Sequence, residues 1–136
     1  MQKEIIMLAN LPLYLAFLGT SLGLLVVALV IYAMLTPYHE IRLIRDGNSA
    51  AAISLGGTAI GMAVVLYSTA SSTFSIVELA VWGGLGLVGQ LFVFVIVWGM
   101  LPGLKQGITD NKVSYGVILG ALSIAMGILN AGALTN

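Results

Sequence analysis

The chain has 136 residues, 60% of them apolar and only 7% charged, a balance that a small water-soluble domain could carry only by exposing large apolar patches. Its net charge of zero removes the basic field that would draw nucleic acid, and the absence of cysteine removes disulfides, thiolate metal sites and a cysteine nucleophile. What remains is an integral membrane protein: residues 5–39, 47–77, 79–104 and 113–136 contain no Lys, Arg, Asp or Glu, and each run exceeds the ~20 residues that cross ~30 Å of hydrocarbon as a helix.

The opening MQKE, followed by a long apolar run, lacks the short hydrophobic segment and small-residue cleavage site of a signal peptide, so it reads as leading into the first spanning helix. That helix is expected over 11–35. Pro12 suits its first turn, where a missing N–H costs nothing, and Pro37 lies just past its end, where the ladder stops. The connection TPYHEIRLIRDGN gathers Glu40, Arg42, Arg45, Asp46 and the chain's single histidine, His39. It reads as a solvated loop closed by Asp46-Gly47, a turn whose glycine takes positive φ. With no second His or Cys at a ligand spacing, His39 and Glu40 do not point to a metal.

The second helix, 50–72, carries Thr58 and would be capped by Asn48 or Ser49. Ser75 and Glu78 have the spacing of a capping box ahead of the third helix, 77–101, and an anion there suits the helix dipole. A second reading makes Glu78 a partly desolvated acid that binds an ion or handles a proton. Gln90, near the middle of the third helix, is the deepest strongly polar side chain. An amide facing lipid is costly, so it is expected to face a helix, a subunit or a water-filled path. Pro102 ends the third helix, and Asn111 or Ser114 would cap the fourth, 113–134, which carries Asn130 in its outer part.

Fourteen of the seventeen glycines fall inside these helices. Gly19 and Gly23, Gly57 and Gly61, and Gly116 and Gly120 put small faces one turn apart, where helix backbones can approach closely within the bundle or between copies of the chain. Orientation follows from Lys and Arg: Arg42, Arg45, Lys105 and Lys112 lie in the first and third connections against Lys3 alone on the other side, which puts loops 36–49 and 102–112 in the cytoplasm and both termini in the periplasm. Aromatic residues agree, with Tyr14, Tyr67, Phe74 and Trp82 near the outer interface and Tyr32, Tyr38, Trp98 and Tyr115 near the inner one.

Sliding the chain against itself by 64 residues lays IRDGNSAAAISLGGTAIGM, from Ile44, on ITDNKVSYGVILGALSIAM, from Ile108, without a gap. Asp46 meets Asp110, Leu55 meets Leu119, Gly56 meets Gly120, Ile60 meets Ile124 and Met62 meets Met126. The fold expected is therefore one all-α membrane domain over 1–136, in which four transmembrane helices form two tandem, parallel helical-hairpin repeats, about 11–72 and 75–136, around a pseudo-twofold axis along the membrane normal. The second connection keeps the proline, a basic residue and the Asp but lacks His39 and Glu40. Tyr38, His39, Glu40, Arg42 and Arg45 are thus peculiar to the first copy and read as a cytoplasmic docking segment. Asn130, whose counterpart is Leu66, also breaks the repeat.

No set of nucleophile, base and oxyanion donors is assembled, and no glycine-rich loop precedes Lys-Ser or Lys-Thr, so enzymatic activity and a cofactor are not expected. TPYHEIRLIRDGNSAAAISLGGTAIG, VWGGLGLVGQLFVF and GILNAG, with Thr36-Pro37, Asn48-x-Ala-Ala, Gln90-Leu91 and Asn130-Ala131 inside them, resemble the domain of unknown function 350 family (uncharacterised protein family 0719), the YjfL-like small inner-membrane proteins of bacteria. The likeness runs over essentially the whole chain. It implies four helices in two hairpins in the bacterial inner membrane and brings no catalytic residue to carry over. It also implies genes near membrane-stress proteins of the phage-shock type and near polyamine-related enzymes, hence a role in envelope maintenance with a cytoplasmic membrane-stress partner.

Two functions compete. In the first, a non-enzymatic bundle self-associates as a homo-oligomer through glycine faces in the bilayer and acts in assembly or envelope maintenance. In the second, a small channel or transporter for ions or small, polyamine-like solutes is lined by Gln90, Asn130, Thr58 and Glu78.

Overall fold

The structure, a computed structural model, describes residues 1–73 and 75–135. Its elements are α1 (Gln2–Ala9), α2 (Leu11–Leu35), α3 (Glu40–Arg45), α4 (Ser49–Ser72), α5 (Ile76–Met100), α6 (Leu104–Thr109) and α7 (Val113–Leu134). Helices α2, α4, α5 and α7 are long and apolar enough to cross a membrane, and their bounds agree with the expected spans to within one residue at each end. The interfacial place expected for Phe74 lies outside the described residues.

Three short helices were not anticipated. All of α1 is exposed, while α3 and α6 occupy the two connections that had read as loops. Six residues are too few to display a helical period, so nothing in the pattern announces them. The helices α3 and α6 start at 40 and 104, and α4 and α7 at 49 and 113, each pair 64 residues apart.

Helix α4 is the centre of the bundle, touching α2, α3, α5, α6 and α7, and its closest partner is α7. Glycine is the reason. A Cβ on Gly57 would land in the backbone of Gly120, one on Gly116 in that of Ala50, and one on Gly127 in that of Gly61. Gly61 lies against the Ser123 carbonyl, and Gly120 against that of Ile53. Between helices in lipid no hydrophobic effect drives association, so such close approach supplies the van der Waals contact instead. The remaining expected pair behaves differently: among the described residues nothing lies within 4 Å of where a Cβ on Gly19 or Gly23 would stand, on a helix that buries Ala28 and Tyr32 alone.

The two connections are tied to each other by an exchange of asparagines. Asn48 caps α4 by accepting from the Ala51 N–H at 2.8 Å, and its amide donates to the carbonyls of Ile108 at 2.8 Å and Thr109 at 3.3 Å, at the end of α6. Asn111 was expected to cap α7 but does not. Its left-handed backbone, φ 59°, turns the side chain across to α4, where it accepts from the Ala50 N–H at 2.9 Å. That donor is one of the N-terminal N–H groups a helix cannot satisfy itself. Ser114 makes no cap either; Lys112 occupies the cap position of α7 without a side-chain bond. Gly47 has the positive φ expected of it, 90°. Of the aromatic residues assigned to the inner interface, Trp98 is exposed and Tyr115 lies over Gly107, but Tyr32 and Tyr38 are buried in the protein.

Replacing Gly127 by Ala should destabilise the protein in detergent by about 1–3 kcal/mol through overpacking against Gly61. Gly19→Ala, in open space, should stay within about 0.5 kcal/mol of the parent. Thermal unfolding of the two variants checks both, and equal loss would show that the α4–α7 contact is not what orders the bundle.

Candidate functional site

The site begins where α2 ends. Thr36 takes the extended backbone favoured before proline, φ −77° and ψ 146°, and its hydroxyl donates to the Ala33 carbonyl at 3.0 Å. Pro37 then turns the chain beneath the bundle, and α3 packs on α4. On α3 the inward positions are Glu40, Leu43 and Ile44, at helical spacing, while Ile41, Arg42 and Arg45 face out.

This overturns the solvated reading for part of the segment. Tyr38 is 5% exposed and Glu40 1%, whereas His39, Arg42 and Arg45 are exposed. The acid is taken inside because its helical position, rather than its charge, fixes which way it points.

Glu40 is the first of a line of buried polar groups. Its carboxyl lies beside the hydroxyls of Thr36 and Tyr38. The Tyr38 hydroxyl also neighbours Ser54, and Ser54 with Thr58 neighbours the hydroxyl of Tyr32. Thr58 donates to the Ser54 carbonyl at 3.2 Å and stands 3.4 Å from the Ser123 hydroxyl. Gln90 completes the line, donating its amide to the Ser123 carbonyl at 3.0 Å, in a gap that a side chain on Gly61 would close. It lies ~15 Å along α5 from Met100, about halfway through the span.

Most buried polar atoms in proteins have a hydrogen-bond partner. Among the described residues six buried side-chain atoms have none: the hydroxyls of Tyr32, Tyr38 and Ser54, both carboxylate oxygens of Glu40, and Oε1 of Gln90. All six belong to this one line. Phe94 walls it on the apolar side, 6.2 Å edge-on from the Tyr32 ring and 6.3 Å from that of Tyr38, and is itself backed by Trp98 at 5.5 Å.

Of the residues expected in a conduit, Gln90 and Thr58 are thus brought together around Ser123. Asn130 is half-buried about two turns further along α7, its amide 3.5 Å from where a Cβ of Gly89 would stand. Glu78 is apart from them. It is exposed in the first turn of α5, its N–H bonded to the Ser75 hydroxyl at 3.3 Å as a capping box requires, while its carboxylate accepts from Thr73 instead of reaching back to Ser75. Sequence reasoning missed Tyr32, Ser54 and Ser123. The legible signal was Ser54, Thr58 and Gly61 on one helix face, a polar edge beside a glycine stripe.

The domain of unknown function 350 family matches residues 6–134. The chain belongs to that family. It is 34% identical over 120 residues to the UPF0719 inner membrane protein YjfL of Escherichia coli (strain K12), an alignment that covers 88% of this chain and 91% of that protein. The UPF0719 transmembrane protein YshE of Bacillus subtilis (strain 168) is 26% identical over 121 residues, covering 88% of this chain and 90% of YshE. No solved structure matches. The family is thus one of inner-membrane proteins, in agreement with the four apolar helices.

Burial pushes the Glu40 carboxyl up from 4.5 to about 7, with the hydroxyls of Thr36 and Tyr38 pulling the other way. Burial and the adjacent acid push the Tyr38 phenol up as well. Since the folded state holds a proton that the unfolded chain releases, Glu40 leaves stability highest below pH 4.5, lowers it as pH rises towards 7, and adds no further slope above. The loss amounts to about 3 kcal/mol at most. Melting temperature followed against pH in detergent should fall over that window for the parent and stay flat for Glu40→Gln; parallel curves would show that Glu40 titrates as an exposed acid.

Proposed function

We propose that the chain is a small proton-linked transporter or channel, in which Glu40 takes up and releases a proton at one face of the membrane and the line through Tyr38, Ser54, Tyr32, Thr58 and Ser123 leads inward to Gln90. The observation that carries this reading is the buried carboxyl of Glu40, which among the described residues has the hydroxyls of Thr36 and Tyr38 beside it but no well-formed hydrogen bond. An ionisable group at the edge of the bilayer is costly unless neutralised, and a carboxyl that titrates near neutrality is suited to exchanging protons. Among the described residues the groups facing it are the hydroxyls of Thr36, Tyr38 and Tyr32, with no lysine or arginine among them. The excess of Arg42, Arg45, Lys105 and Lys112 over Lys3 supports a cytoplasmic position for this end and periplasmic termini. The 64-residue spacing of the helix starts supports two tandem hairpins, of which only the first carries the acid.

Proteoliposomes with a potassium gradient, valinomycin and a trapped pH dye test the reading. The parent should carry protons well above empty liposomes, Glu40→Gln should fall to that background, and Tyr38→Phe should retain only part of the rate. Proton movement no faster than in empty liposomes on either side of pH 7, for parent and variants alike, would remove it.

A second reading, self-association in assembly or envelope maintenance, is supported by α2. Gly19 and Gly23 lie open on a helix with little protein around it, which suits contact with a second copy. Cross-linking through cysteines introduced at 19 and 23 in native membranes should yield dimers if this face associates and monomer alone if it meets only lipid.

A further inference from the structure

Helix α3 packs chiefly on α4. The end of α2 nearest the first connection packs inward through Ala28 and Tyr32, and between its outer face and α3 opens a groove of about 1070 Å³. Its α2 wall is Val26, Leu29, Val30, Ala33 and Met34, an apolar stripe at steps of three and four residues running ~12 Å along the helix. Its mouth carries Arg42 and Arg45, one turn apart on the exposed face of α3, beside His39.

We propose that this groove binds an anionic phospholipid, with the phosphate held by Arg42 and Arg45 and an acyl chain laid along the α2 stripe. Charge and depth agree. Among the described residues neither arginine forms an ion pair, and both guanidinium groups can present paired N–H donors to phosphate oxygens. The one acid in the groove wall does not oppose an anion, because both Glu40 carboxylate oxygens lie beneath the surface. The arginines sit where a spanning helix ends, at headgroup depth, and basic pockets between transmembrane helices at that level take phospholipid headgroups. Free phosphate would satisfy the arginines but leave the apolar wall bare, whereas a neutral lipid would cover the wall and leave the arginines unmatched. Only the anionic amphiphile meets both halves. The site does not depend on proton transport, and either could stand without the other.

The full chain, purified in a neutral detergent, is titrated with dioleoyl phosphatidylglycerol, dioleoyl phosphatidylcholine or inorganic phosphate while melting temperature and lipid retained in native mass spectrometry are recorded. Phosphatidylglycerol should raise the melting temperature and stay bound, and the other two should do neither. The double variant R42Q/R45Q, altered only on the exposed face of α3, should bind phosphatidylglycerol roughly tenfold or more weakly. Val30→Trp, at an exposed position of the α2 wall, leaves the arginines intact and should weaken the lipid by filling its chain site. Equal effects of the two lipids, equal stabilisation by inorganic phosphate, or undiminished binding by R42Q/R45Q would each overturn the proposal.

Discussion

Because Gly57, Gly61, Gly116, Gly120 and Gly127 carry no side chain, α4 and α7 meet backbone against backbone, and the other contacts are arranged around that seam. In lipid the seam is held by dispersion and by hydrogen bonds across it, since apolar side chains gain nothing by leaving one hydrocarbon for another. Two such bonds join the pair, Ser68 to the Ala131 carbonyl at 3.1 Å and Thr58 to Ser123 at 3.4 Å, and Asn111, in the connection ahead of α7, accepts from the Ala50 N–H of α4 at 2.9 Å. Gly61 serves twice, receiving α7 and leaving room for the Gln90 amide to reach Ser123. A bulkier residue there would separate the helices and cut the polar line at its deep end.

The four spans were legible because each contains a long, mainly apolar run without a charged residue, a signal that needs no knowledge of neighbours. Glycine pairs on α4 and α7 were legible for the same reason, although spacing alone could not distinguish them from Gly19 and Gly23, which the fold leaves open. What stayed hidden depends on partners far along the chain. Asn111 looked like a cap for the helix that follows it, yet it serves a helix more than sixty residues earlier, at Ala50. Glu40 looked solvated because charge is normally solvated, but a six-residue helix turned it inward. Gln90 was recognised as interior because an amide at mid-bilayer has few alternatives, whereas Tyr32, Ser54 and Ser123, less polar, gave no comparable signal.

The acid and the arginines of the first connection occupy opposite sides of α3, a separation invisible in TPYHEIRLIRDGN, where they are nearly adjacent. Inward lies a low-dielectric pocket in which a neutral carboxyl is favoured; outward lies the polar boundary, which receives the exposed guanidinium groups. One and a half turns of helix thus keep like from screening unlike. The connection is less a linker than a partition between two chemical environments, and the second connection, with no counterpart to Glu40, has no such inner side.

The order of the helices along the chain has a consequence for how the protein is made. Helix α4 is the least apolar of the four spans and buries Ser54, Thr58, Ser68 and Thr69, yet α7, which covers this face, is the last to leave the ribosome. During that interval α4 has α2 and then α5 to rest against, and α2 is the most apolar span and the one that keeps least protein around it in the finished bundle. Helix α2 thereby takes the part of an escort. It enters lipid readily, shelters a helix that could not stay there comfortably alone, and ends at the periphery once the permanent partner has arrived.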